Sequence, residues 1–428
     1  MTLRWLRRCA THYVNRFDRK ALPERFCNLE RLLAAMTARG LDGIVVSTPL
    51  NVFYLSGFNG IAHKADEPRP YAVVLSRHAP DHPILVLADY YLATILSQPT
   101  WVRDIRPFRA VMMPIDRAAQ REDLERFIPQ HAKQLAWVRG ARERYAFDMK
   151  SALTGALGEL GLERGRVGFD DLALGQRLGL EPATVADAYD ALMSARAVKT
   201  PTELDLLRRA TALNRAAIER TVQTWDRGMS WRELNRAYHA AALDLGGFVR
   251  DPGAMVWGHP RGAETALTLQ TGLEDFQVER GQHVMFDCHG TLDLYCWDGG
   301  KTWVVGGEPH AEGKRNLRAT AQVAEQLVSD MKPGTRPSVL QGRGRELYRK
   351  AGVTDADAAV IFFHGLGLSH WDLEDRTADW RFEAGMVVPL HVVMPGGETD
   401  RAWLEEVVLI TEQGGEPLFG WGYEPLLA

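Results

Sequence analysis

Five strand-sized apolar runs in the second half of the chain carry titratable side chains that a buried strand cannot tolerate alone. Val284–Phe286 leads into Asp287, Tyr295–Trp297 into Asp298 and Ala358–Phe363 into His364, while Val387–Val393 contains His391 and Ala402–Thr411 contains Glu405 and Glu406. An ionised carboxylate taken out of water without a partner costs several kcal/mol. The fold must therefore bring these groups to one another, to a cation, or to solvent. Asp287 and Asp298 bracket His289-Gly290-Thr291-Leu292-Asp293, which has hairpin-turn chemistry. The flanking segments are expected to pair antiparallel and to set both carboxylates on one patch of sheet. Two such carboxylates repel unless a cation or proton joins them, and a divalent metal is the natural partner. The bulky neighbours Phe286 and Trp297 argue against both acids simply facing water.

His364 ends an apolar run and is followed by Gly365-Leu366-Gly367-Leu368, whose glycines permit close backbone approach. Alone it is a weak signal, because a single histidine more often serves a core or loop hydrogen bond. A second hairpin is expected around Pro395–Asp400. If its turn centres near Glu398, His391 lies opposite Glu405. Neighbours on a strand face opposite ways, so only one of Glu405 and Glu406 can share the face of His391. Glu405 takes that place in this reading, and Glu406 is left facing solvent.

The rest of the sequence frames this cluster. With 428 residues, 46% of them hydrophobic, the chain is long enough for two or three domains with real cores. No run approaches the roughly 18 apolar residues of a membrane span. A formal charge of −4 is unlike that of a nucleic-acid binder. Neither a membrane nor a nucleic acid is expected as a partner. Cys9, Cys27, Cys288 and Cys296 form no C-x-x-C pair, so reduced thiols and a cytoplasmic location fit best. Residues 1–22 carry six Lys and Arg against Asp18 alone, a local +5 that leaves −9 on the remainder, and read as a basic arm. From residue 23 to about 195, an α/β domain is expected. It has a helix over Glu24–Met36, strands at Gly43–Ser47, Tyr71–Ser76, Ile84–Ala88 and Arg166–Phe169, and a helical stretch around Arg121–Leu135. From residue 196 to 428, an α+β domain is expected, with helices opening at Pro201 and over Trp231–Leu245, and Ala319–Met331 as its one further strong helix.

Taken in order, Asp287, Asp298, His364, His391 and Glu405 resemble the Asp, Asp, His, Glu, Glu ligand series of the pita-bread metallopeptidase superfamily, which includes aminopeptidase P, prolidase and creatinase. Leu41–Ile44, Pro49–Val52 and Tyr54–Phe58 look like the opening of a creatinase-type N-terminal domain, and Arg196–Leu204 like the entry to its catalytic domain. The resemblance implies an α/β N-terminal domain plus an α+β pita-bread catalytic domain. It also implies one or two divalent ions, Fe, Zn, Mn or Co, with Asp298 and Glu405 bridging. A homodimer is implied as well, in which the loop Asn59–Arg69 reaches the partner's site. His63, Lys64 and Arg69 are then candidates to meet an anionic substrate.

Two departures from the family pattern bear on activity. His391 stands where the family has its first glutamate, which leaves three carboxylates to balance two divalent ions and favours an anionic substrate or a single ion. Peptide-handling histidines are expected upstream of the first aspartate and seven residues beyond His364, but Gln270 and Trp371 occupy those places, with His370 one step out of register. These changes suggest a non-peptidase member: a metal-dependent hydrolase that cleaves an amide-like C–N bond in a small, carboxylate-bearing molecule, with water activated by the metal. His289 and His370 are candidates for proton transfer or substrate orientation. The alternatives are a metal-dependent lyase of the dimethylsulfoniopropionate-lyase type, an Xaa-Pro peptidase, and a non-catalytic binding module on the same fold.

Overall fold

The computed structural model describes residues 25–60, 70–97, 100–110, 116–118, 120–180, 184–249, 255–258, 275–374, 377 and 379–427. These fall into two compact units that part between Arg196 and Ala197. The basic arm, Glu24, His63, Lys64, Arg69 and Gln270 lie outside the described residues.

The first unit is α/β. Helix α1 (Leu29–Ala38) starts later than the sequence predicts because Asn28 caps it, accepting a hydrogen bond from the Arg31 backbone N–H at 3.3 Å. Strands β1 (Gly43–Val46), β2 (Tyr71–Ser76), β3 (Ala79–Ala88), β4 (Asp104–Phe108), β5 (Val167–Phe169) and β6 (Val185–Asp187) form one mixed sheet in the order β4-β3-β2-β1-β5-β6. The helical stretch expected over Arg121–Leu135 is instead a set of short turns, Arg121–Leu124, Glu125–Phe127 and Gln130–Ala132, followed by a helix over Ala136–Glu143. Pro129 interrupts it, since proline removes a helical donor and crowds the preceding turn.

The second unit contains α2 (Pro201–Thr224) and α3 (Trp231–Asp244), each opened by a capping box, Thr200 with Glu203 and Ser230 with Glu233. Two further helices follow, α4 (Ala311–Asp330) and α5 (Pro337–Lys350). The sequence reading starts α4 late and misses α5. That helix is rich in Arg and Gly and buries only the narrow stripe Pro337, Leu340, Gly344 and Tyr348, so its apolar periodicity is faint.

Strands β7 (Phe248–Val249), β8 (Met255–Trp257), β9 (His283–Asp287), β10 (Gly290–Leu292), β11 (Tyr295–Trp297), β12 (Gly300–Val304), β13 (Val360–Phe363), β14 (Val387–Met394), β15 (Ala402–Ile410) and β16 (Gly415–Pro417) complete the unit. The large sheet runs β13-β14-β15-β12-β9-β8, with β16 paired to β15, and β11-β10-β7 form a small sheet beside it. One apolar core lies between α2, α3 and the strands β9, β11 and β12, and includes Ile218, Tyr238, Phe286, Trp297 and Trp303. Another joins α4 and α5 to β13, β14 and β15 through Leu327, Tyr348, Ile361, Leu390 and Val408. Among the described residues, no helix is long and apolar enough to cross a membrane.

The first hairpin differs from expectation in its pairing. Val284–Phe286 does not pair with Tyr295–Trp297; β9 pairs with β12, with Met285 opposite Thr302, and β10 pairs with β11, with Gly290 opposite Trp297. Both ladders keep one register, and the chain reverses at Asp293-Leu294, where φ is 49° and 71°. Two successive positive φ angles belong to the tight hairpin turns whose twist matches that of the strands.

Candidate metal centre

Register alone aligns much of the site. Gly300 on β12 is opposite Glu405 on β15, Glu405 is opposite His391 on β14, and His391 is opposite Phe362 on β13. Extending the β9–β12 register puts Asp287 opposite Gly300. A single row across five strands thus carries Asp287, Glu405 and His391. The row closes up at Gly300, where a Cβ would come 2.5 Å from the Phe286 carbonyl oxygen, a position only glycine can fill.

Asp298 sits in the break between β11 and β12, its backbone held by Asn214, whose Nδ2 donates to the carbonyls of Asp298 (3.3 Å) and Gly299 (3.0 Å). Tyr238 in turn donates its hydroxyl to Asn214 Oδ1 at 2.7 Å. His364 directly follows β13 and places Nε2 3.3 Å from Asp298 Oδ2. His391 Nε2 lies 3.0 Å from Glu405 Oε1, outside hydrogen-bond geometry. The five residues read from the sequence are therefore neighbours. Asp287, Asp298 and Glu405 offer oxygens within 4.8 Å of one another, as do the donor atoms of His364, His391 and Glu405.

Two histidines treated above as proton carriers enter the same cluster. His289 Nε2 is 3.0 Å from Asp287 Oδ1 and 3.1 Å from Asp298 Oδ1, and His370 Nε2 is 3.8 Å from Asp298 Oδ2. Trp371, the residue in the expected histidine position, is 42% exposed and stacks beside His364 with ring centroids 6.3 Å apart. His370, one residue before Trp371, is an imidazole that this loop brings beside Asp298. Phe362 stacks on His391 at 3.7 Å.

The loop from His364 to Asp372 rests on a buried polar network that the sequence reading missed. Asp372 accepts from the Leu368 N–H (3.0 Å) and Ser369 Oγ (2.7 Å), and Lys199 Nζ lies 3.5 Å from its Oδ2. Gly367 O accepts from the Cys296 N–H at 2.7 Å, which ties this loop to the first hairpin. Glu203 takes Tyr295's hydroxyl proton donation at 3.1 Å, and its burial, eased by Lys199, pushes its pKa up to about 7. No local signal marks such a network, because its members come from three separate segments.

Glu406 corrects another expectation. It is 2% exposed, accepts from the Phe419 N–H at 3.0 Å, and is pushed up to about 8 by burial. Strand β15 is buried on both faces, so its outward-alternating position meets protein instead of water.

The electrostatics of the cluster are those of too many acids in too little water. Burial, together with the charges of Asp298 and Asp287, drives the Glu405 carboxyl well above the ordinary range. Neither Glu405 oxygen has a hydrogen-bond partner, although the residue is 1% exposed. Burial opposes ionisation of Asp298, but His289 and the charges of His370 and His364 hold it well below the usual carboxylate range. His289 is disfavoured as a cation by burial and yet raised to about 10 by Asp287 and Asp298. His391 is pushed down to about 3 by burial and by His364, and so remains neutral with a lone pair to offer. Oxygen and imidazole donors converging around an unpartnered carboxylate fit a divalent transition metal.

Similarity to known proteins agrees with this geometry. Residues 205–412 match the family model of metallopeptidase family M24, and residues 28–209 match that of the creatinase/prolidase N-terminal domain. An uncharacterized peptidase of Staphylococcus saprophyticus is 24% identical over 241 residues, 55% of this chain and 66% of that protein. The Xaa-Pro dipeptidase of Pyrococcus furiosus is 23% identical over 235 residues, 54% of this chain and 65% of that protein. The chain therefore spans just under two thirds of the length of these curated relatives. Among solved structures, the X-Pro aminopeptidase of Thermotoga maritima superposes with a TM-score of 0.66 at 18% identity, covering 94% of this chain and 99% of that one. A prolidase of Pyrococcus horikoshii gives 0.65 at 15% identity, covering 94% and 99%. With the two family models together spanning residues 28–412 and the fold matching throughout, the chain belongs to the pita-bread metallopeptidase superfamily, as an M24 catalytic domain behind a creatinase-type N-terminal domain.

Proposed function

We propose that this protein is a metal-dependent hydrolase that cleaves the C–N amide bond of small, carboxylate-bearing molecules, with Xaa-Pro dipeptides as the first substrate class. The observation that carries the reading is the buried Glu405 carboxyl, both oxygens without a hydrogen-bond partner, facing Asp287, Asp298 and His391. Asp287, Asp298, His364, His391 and Glu405 would hold one or two divalent ions. When bound, such ions lower the pKa of water toward about 7 and polarise a carbonyl.

The chain's own residues supply the rest. His370, its side chain 27% exposed and its Nε2 3.8 Å from Asp298 Oδ2, would move a proton to the leaving nitrogen. Exposed Trp371 and Phe362 flank His364 and His391 as an apolar wall for a substrate side chain. Three carboxylates against two divalent ions leave one positive charge, which attracts the substrate's carboxylate. An Xaa-Pro dipeptide satisfies these demands, and relatives bearing that activity in their names support it. A second reading, a non-peptide amide as substrate, is favoured by His391 in place of the family's glutamate.

Purified protein loaded with Mn or Co should be assayed on Gly-Pro, Ala-Pro, their C-terminal amides and N-acyl amino acids. Turnover is expected for carboxylate-bearing amides, with kcat/KM falling at least about tenfold, or 1.4 kcal/mol, when the carboxylate is amidated. Turnover of N-acyl amino acids without dipeptides would select the second reading. Metal content below a tenth of an equivalent, with no hydrolysis of any amide, would overturn both.

A further inference from the structure

We infer that His289 is a metal ligand, a sixth protein donor that completes the ion position shared by Asp287, Asp298 and Glu405. The inference rests on the metal-dependent reading above and concerns which residues bind. The sheet register places the side chain there. The β9–β12 and β10–β11 ladders have one register, and extending it sets His289 directly across from Asp298. Asp287 ends β9 two residues before His289. His289 and Asp298 lie in the two-residue breaks between ladders of one register, which the Cys288 N–H spans by donating to the Gly299 carbonyl at 3.2 Å, so the three donors stay neighbours.

The distances have the size of coordination-polyhedron edges. Donors about 2.1 Å from a common ion stand about 3.0 Å apart when they subtend a right angle and about 3.4 Å apart at a tetrahedral angle. His289 Nε2 is 3.0 Å from Asp287 Oδ1 and 3.1 Å from Asp298 Oδ1. The separations of His364 from Asp298 (3.3 Å) and His391 from Glu405 (3.0 Å) fall in the same range. His370 stands further off, at 3.8 Å from Asp298, and touches one carboxylate only.

Two other roles for His289 account for less of the geometry. As a counter-ion it would balance one of three carboxylates and leave Glu405, whose oxygens have no hydrogen-bond partner, untouched. As a proton carrier it would have to reach substrate, yet its Nε2 is wedged between two carboxylates. With His289 as a ligand, each ion position gains an imidazole absent from the five-residue carboxylate-rich pattern, His391 in one and His289 in the other. Imidazole is neutral, so the charge balance is unchanged, while the donor set shifts toward ions of the Zn, Co and Fe type and away from Mn.

Protein stripped with chelator should be titrated with Co(II) by calorimetry, as wild type and His289→Ala. The expected result is two equivalents for wild type, and for His289→Ala one equivalent at wild-type affinity with the second weakened at least about 100-fold. Two equivalents at unchanged affinity in His289→Ala would overturn the inference and leave the metal-dependent hydrolase intact. No Co(II) uptake by wild type would remove both. Should His289→Ala fail to fold, or wild type bind a single ion, an anomalous difference map from Co-soaked wild-type crystals decides. A peak within about 2.4 Å of His289 Nε2 supports the inference, and a peak beyond about 3.5 Å from it overturns it.

Discussion

Replacing Glu405 with glutamine should stabilise the protein without metal and destabilise it with metal. In the metal-free state, Glu405 faces Asp287 and Asp298 with oxygens no more than 4.8 Å apart. At an effective dielectric of about 20, each carboxylate pair at that distance repels by about 3 kcal/mol or more, so two neighbours oppose ionisation by about 7. Taking up a proton at pH 7 is the cheaper course: from an unfolded pKa near 4.3 it costs about 4 kcal/mol. That figure is the ceiling on what Glu405 withdraws from stability at pH 7, because its folded pKa lies well above the ordinary range. The sign follows from the raised pKa. The protonated form favours the fold fully below the unfolded pKa, and the advantage is lost as pH rises toward the folded one. Glutamine has no proton to take up. In chelator, Glu405→Gln should therefore gain up to about 4 kcal/mol at pH 7, roughly 10 °C in Tm for a domain of this size, and nothing near pH 4. With Co(II) at about 100 times its Kd, wild type gains about 3 kcal/mol that the variant forfeits in part, narrowing or reversing the order. Differential scanning calorimetry at pH 4, 5.5 and 7, with chelator and with Co(II), measures all of this. A variant less stable than wild type in chelator at pH 7, with an undiminished response to Co(II), would refute the reasoning.

Other substitutions test separate parts of the structure. His391→Glu restores a carboxylate where the family has one and removes the surplus positive charge, so the penalty for amidating the substrate carboxylate should shrink by several-fold in steady-state assays. Asp372→Asn leaves Lys199 buried against a neutral partner, which should lower stability by about 3 kcal/mol, the low end of the range for a broken buried pair because Glu203 can then ionise. Urea denaturation reads that value. Glu203→Gln should flatten the pH dependence of stability between the ordinary carboxylate range and about 7, since the wild-type group is stabilising when protonated and loses that contribution as pH rises through about 7. Asn214→Ala removes both hydrogen bonds to the carbonyls of Asp298 and Gly299 and should cost about 1–3 kcal/mol, with weaker metal binding in the same titration.

Much of the site could be read from sequence because apolar strands announce themselves and a titratable residue inside one is conspicuous. His391 opposite Glu405 followed from placing one turn near Glu398, and the register agrees. The same logic failed for Glu406, since alternation separates faces without saying whether the second face meets water. His289 was read as a proton carrier or substrate-orienting group and not as a ligand, because the ladder is interrupted at that point, and only its continued register on both sides reveals what it faces. The Lys199, Glu203, Tyr295 and Asp372 network left no trace at all, because burial of polar groups far apart in sequence is a property of the packed chain alone.

The row through Asp287, Gly300, Glu405, His391 and Phe362 behaves like a rack with fixed slots. Strand spacing of about 4.8 Å and the backbone ladder set the distance between slots, whatever side chain stands in each. A donor can be exchanged, as glutamate for histidine at 391, without moving the backbone or its neighbours. Deleting one residue from the turn at 395–400 would instead slide β14 past β15 and present Leu404 or Glu406 to His391, dismantling the row at once. Chemistry in such a scaffold is free to drift by single substitutions, while chain length between the strands is not. A shared backbone at 15% identity is what that asymmetry produces, and it leaves reactivity to be decided by which atoms occupy the slots.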